Sequence, residues 1–160
     1  MKPTLVLAIG NPSRGDDALG PLLFDQLGAW LVHQPQGTQD AIDLLCELQL
    51  QPEHVYDLQG RDRVLIIDAS VDGTPDVRCI PLAETPTAPS ISSHQCSPSA
   101  LISWYRQLFE APPPACHLLT LPGHGYELGA PLTAQAEGSL TQGWHLLLQW
   151  LNAPLEAQHA

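Results

Sequence analysis

The chain has 160 residues, 44% of them apolar and only 14% charged, and its 17 acidic against 6 basic side chains leave a net charge of −11. That length suits a single domain with a full core, and the charge argues against nucleic acid and anionic membranes, whose phosphates need Lys and Arg. No apolar run approaches the ~20 residues that span a bilayer; the acidic surplus favours a cation or a basic partner segment, with plain solubility the simpler account.

Thr4 to Ile9 is continuously apolar and reads as a buried central strand. The turn Gly10-Asn11-Pro12-Ser13-Arg14-Gly15 follows, then Asp16 and Asp17. Ala18 to Val32 has the period of a helix, with Leu19, Leu22, Leu23, Leu27 and Leu31 on one face, and Pro21 is tolerable only in its first turn. Gln34 to Asp40 is polar and turn-like. Ala41 to Leu50 reads as a strand from its late alternation of Leu44, Cys46, Leu48 and Leu50, although its first half also suits a helix. Pro52 starts a short helix that Gly60 closes.

Val64 to Ile67 is the clearest strand after the first, with Asp68 at its carboxyl end. Val77 to Ile80 reads as a short antiparallel or edge strand after the Asp72-Gly73 turn, and Pro81 to Ser93 as a long loop. Ser97-Pro98 supplies an N-cap and first position for a helix to Phe109. His117 to Leu121 is a further strand, Pro122 to Pro131 a glycine-rich loop, and Thr133 to Leu151 a last helix. Alternating strands and helices predict an α/β fold of three layers, a mostly parallel twisted sheet of about five strands between helices. The reading is one domain over residues 1–152, with 153–160 a flexible tail. Cys46, Cys79, Cys96 and Cys116 have no paired spacing and read as reduced thiols of a cytoplasmic protein.

Gly10 and Gly15 invite a phosphate-loop reading, but the Lys and Ser/Thr that such a loop needs are replaced by Asp16 and Asp17, which would repel phosphate. They suit a cation or proton transfer, or one of them caps the helix. In an open α/β sheet, ligands bind beyond the carboxyl ends of the strands, so Asp16, Asp17 and Asp68 can share one rim. A charge directly after four apolar residues is costly unless paired, ligated or hydrogen-bonded. His94, on the loop entering a helix, has the most site-like setting of the seven histidines, with His124 a weaker rival. Two carboxylates and an imidazole form a nitrogen-oxygen metal set with open positions. The residues alone leave a cation-binding enzyme and a metal chaperone both open.

Gly10-Asn11 with Gly15-Asp16-Asp17 and Gly20, then Leu65-Ile66-Ile67-Asp68-Ala69, then Ser93-His94-Gln95 with Ser97-Pro98, resemble in order and spacing the three motifs of the nickel-iron hydrogenase maturation endopeptidases. The resemblance covers Leu5 to Leu151. It implies a peptidase of the aspartic type that removes a C-terminal extension from the hydrogenase large-subunit precursor once nickel is inserted, the nickel being carried by the substrate and read as the recognition signal. Carried over, Asp17 and Asp68 are the catalytic candidates, and Asp17, Asp68 and His94 the metal ligands, with Gly10, Asn11 and Asp16 in support. Gln49 to Glu53 and Gly125 to Gly129 look closer to the branch serving cytosolic, NAD(P)-linked hydrogenases. Asp17 stands where some members have Glu, a shorter reach by one methylene, and Ala18 replaces a common Gly. The rivals are a non-catalytic nickel chaperone using the same ligands, and a peptidyl-tRNA hydrolase, which the charge disfavours.

Overall fold

The structure, a computed structural model, describes residues 1–70, 75–84 and 96–154. Strands β1 (Thr4–Ile9), β2 (Ile42–Glu47), β3 (Arg63–Ser70), β4 (Arg78–Pro81) and β5 (Ala115–Pro122) form one sheet in the order β2-β1-β3-β5-β4. All neighbours pair in parallel except β4, which runs antiparallel along one edge. The helices are α1 (Leu19–Leu31), α2 (Gln36–Ala41), α3 (Val55–Leu58), α4 (Pro98–Phe109) and α5 (Ala134–Asn152).

The apolar runs explain the layering. All six residues of β1 are buried, and their alternation feeds two cores. Val6 and Ala8, with Leu65, Ile67, Leu119 and Leu121, pack beneath the leucines of α1 and the Leu147 and Trp150 face of α5. Leu5, Leu7 and Ile9, with Val64 and Ile66, pack on Leu58 of α3 and Leu101, Ile102 and Tyr105 of α4. A strand apolar on both faces needs cover on both, which makes a parallel sheet the middle of three layers. From β1 the chain leaves through α1 towards β2 on one edge; from β3 it leaves towards β4 and β5 on the other. Such a reversal opens a crevice between the two strand ends.

Three local expectations are corrected. The polar stretch before the second strand is the helix α2, which begins after Pro35 and buries no residue. Without an apolar stripe it leaves no periodic signal. The second strand stops at Glu47 rather than running to Leu50; Leu48 is exposed, while Leu50 turns back into the core. Asp68 does not terminate its strand, because β3 continues to Ser70 alongside β5. The Asp72-Gly73 turn, most of the Pro81 to Ser93 loop and residues 155–160 of the expected tail lie outside the described residues.

Candidate active site

The site begins where β1 stops. The β1–β3 ladder ends at the pair Ala8–Ile67, so among the described residues Asp68 lies in a notch with β5 on one side and no strand on the other. Alternation along β3 turns Asp68 to the same face as Val64 and Ile66, the face covered by α4. Across the notch the chain leaves β1 at Gly10, whose φ is +150°, and enters a 3-10 turn, Gly15–Ala18. A Cβ at Gly10 would collide with the carbonyl oxygen of Asp17, so only glycine lets the turn fold this close to the strand end.

The two adjacent aspartates have different jobs. A 3-10 turn rotates successive side chains by roughly 120°. Asp17 faces outward to the notch, and its Oδ2 accepts from the Asn11 backbone N–H at 2.7 Å. Asp16 faces inward and is fully buried. Its carboxylate accepts from the backbone N–H of His124 (2.7 Å), Gly125 (3.2 Å) and Thr133 (2.8 Å), and from the Thr133 hydroxyl (2.7 Å). Burial pushes the Asp16 carboxyl up, but these hydrogen bonds outweigh it and leave the group below its ordinary value. Neither aspartate caps α1, whose N-cap residue, Ala18, has no side-chain hydrogen bond.

Asp17 and Asp68 line one open cleft of about 510 Å³. Ile9 and Ile66 supply apolar floor, Gln49 and Leu50 one wall, and Cys96, Ser97 and Ala100, around the start of α4, the other. Burial, and then the charge of Asp17, push Asp68 up to about 7, against a smaller pull from the Ala69 backbone N–H. Two carboxylates in one cleft with one displaced towards neutrality form an asymmetric pair, the arrangement used to hold or pass a proton near neutral pH.

Among the described residues, other nucleophiles fit poorly. Burial, followed by the charge of Glu53, raises the Cys96 thiol; burial alone raises Cys79 to about 11 and Cys116 to about 12. Thiols raised in this way are poor nucleophiles. Ser97 is engaged as the N-cap of α4, accepting from the Ala100 N–H at 3.0 Å. A second hollow of about 410 Å³ between α3 and α4, with Tyr56, Trp104 and Leu108 in its walls, has among the described residues Glu53 as its one carboxylate and no paired chemistry.

The structure places Asp17 and Asp68 in one cleft, with Gly10 and Asn11 shaping the turn. It moves Asp16 from the rim into the interior. His94 lies outside the described residues. His124 has an exposed side chain and meets the site only through its backbone N–H. Gln49 and Leu50 as cleft wall, and Thr133 as a partner of Asp16, are not apparent from the sequence. Thr133 is recognisable as a helix N-cap, but its bond to a residue 117 positions away has no local signature.

No family model and no curated protein matches the sequence. Solved structures match its fold. The hydrogenase maturating endopeptidase HybD from E. coli superposes with a TM-score of 0.69 at 21% identity, covering 94% of this chain and 92% of that one. The NiFe hydrogenase maturation protease HycI from Thermococcus kodakarensis KOD1 gives 0.67 at 20% identity, with the same two coverages, 94% and 92%. The hydrogenase 2 maturation peptidase from a Thaumarchaeota archaeon gives 0.65 at 18%, covering 94% and 99%. At these identities the likeness is one of fold: a five-stranded, mostly parallel sheet between helices, shared over almost the whole chain with hydrogenase maturation proteases.

Proposed function

We propose that this chain is a cytoplasmic endopeptidase that removes the C-terminal extension of a nickel-iron hydrogenase large-subunit precursor after nickel insertion. The observation that carries the reading is the Asp17–Asp68 pair in one cleft at the ends of β1 and β3, with Asp68 raised to about 7, on a fold shared with hydrogenase maturation proteases. In this reading the precursor's nickel docks against Asp17, Asp68 and His94 and serves as the recognition signal. A dication beside the pair favours the ionised form of both carboxylates, so docking drives the proton off Asp68.

Anchoring the metal fixes the scissile bond next to the pair, and orientation supplies much of the rate. A carboxylate accepts a proton from water as the water oxygen bonds to the scissile carbonyl carbon. The proton passes to the departing amide nitrogen as the C–N bond breaks. The products are the trimmed large subunit and a free peptide, with no co-reactant beyond water.

The test is incubation of purified protein with nickel-loaded and nickel-free precursor, read by intact mass. Loss of the extension from the loaded precursor alone supports the reading. Nickel-dependent association with no cut identifies a chaperone, and cutting regardless of nickel removes the metal from recognition.

A further inference from the structure

Residues 123–133, between β5 and α5, are bonded to both strand ends that carry the cleft carboxylates. On one side they seat on Asp16. Thr133, His124 and Gly125 donate to its carboxylate, the Gly125 carbonyl accepts from the Asp16 N–H at 2.7 Å, and the Gly129 N–H donates to the Ser13 carbonyl at 2.7 Å. On the other side the Gly123 N–H (3.0 Å) and the Tyr126 hydroxyl (2.8 Å) both donate to the carbonyl of Ser70, two residues beyond Asp68. The sheet does not supply this link, because the β1–β3 ladder stops at Ala8–Ile67, short of both carboxylates. Charge repulsion between Asp17 and Asp68 pushes the same two ends apart.

We propose that residues 123–133 are a brace that sets the spacing of Asp17 and Asp68, and that Asp16 is the positioning residue in which the brace is seated. The carboxylate is suited to the task because it is acceptor-only and can take four donors at once. An Asn there would turn an NH2 towards donors. Tyr126 and Thr133 hold opposite ends, so weakening either end should loosen both strand ends.

The test compares wild type with Asp16→Asn, Thr133→Val, Thr133→Ser and Tyr126→Phe by hydrogen exchange with mass spectrometry on the free protein. Asp16→Asn and Thr133→Val are expected to speed exchange by about tenfold or more in residues 10–18, 123–133 and 67–70, while α4 is unchanged. Thr133→Ser, which keeps the hydroxyl, restores protection. Faster exchange confined to the neighbours of the substituted side chain overturns the brace. If Asp16→Asn does not fold, Tyr126→Phe, which removes one hydroxyl, carries the same test from the Ser70 end. A second arm rests on the proposed hydrolysis: kcat for the nickel-loaded precursor should fall about ten- to a hundredfold with KM held, as misplacement predicts. An unchanged kcat despite loosened segments overturns the positioning role. If wild type cuts no precursor, the functional reading falls, and the exchange arm alone decides the brace.

Discussion

Asp68 is the residue on which the chemistry and the stability of this chain meet. Its carboxyl is pushed up by burial and by Asp17, so the folded state prefers it protonated. A raised folded-state value means the contribution to stability is fully present below the unfolded value of 3.8 and is lost as pH rises through about 7. The metal-free protein should therefore lose thermal stability between pH 5 and about pH 8. Asp68→Asn, which cannot ionise, should remove that loss and melt higher than wild type at pH 8, as followed by circular dichroism. A wild type that melts lower than Asp68→Asn by the same margin at both ends of the range would contradict this. Asp16 has the opposite sign. Its hydrogen bonds hold it below 3.8, so its contribution is present above the unfolded value and lost as pH falls through its lowered folded value. Acid unfolding should therefore begin at higher pH in Thr133→Val, which weakens that carboxylate's set of donors, and a pH titration of ellipticity measures the shift.

At the scale of elements, the site exists because β1 ends early and its exit turn folds back over the strand end. Gly10 is where that geometry is decided: φ is +150° and a Cβ would strike the Asp17 carbonyl. Gly10→Ala should cost about 2 kcal/mol or more from strain and collision combined, measured by urea denaturation, and should displace Asp17 from the cleft. A cost below about 0.5 kcal/mol, the level of an ordinary surface change, would mean that the turn has room elsewhere. What sequence could reveal follows from the same physics. β1 and β3 announce themselves as unbroken apolar runs, and α4 by Ser97-Pro98, because burial and capping are encoded locally. The edge strand β4 was legible from its turn and brevity. Helix α2 was not, since it buries nothing. Asp68 stood out because a charge after apolar residues demands a partner or a task. Asp16 and Asp17 could not be told apart, since the partners that separate them lie 108 to 117 positions away.

For the molecule as a whole, the two cores and the opposite edges towards which the chain leaves β1 and β3 leave, among the described residues, one cleft where acidic groups converge. The helices of the described residues include none long and apolar enough to cross a membrane. The formal net charge of the sequence is −11, which suits a cationic centre presented by a protein partner better than a phosphate-bearing one. The fold agrees with hydrogenase maturation proteases over most of its length. In the proposed function, Asp17 and Asp68 together make this cleft hydrolytic towards a nickel-loaded precursor. Single-turnover processing of that precursor by wild type, Asp17→Asn and Asp68→Asn, with binding and intact mass recorded on the same samples, puts this to the test. Wild type should release the C-terminal peptide, and each variant, though folded, should slow release by at least about a thousandfold, the scale of losing an acid-base group. Wild-type cutting rates in both folded variants would contradict it.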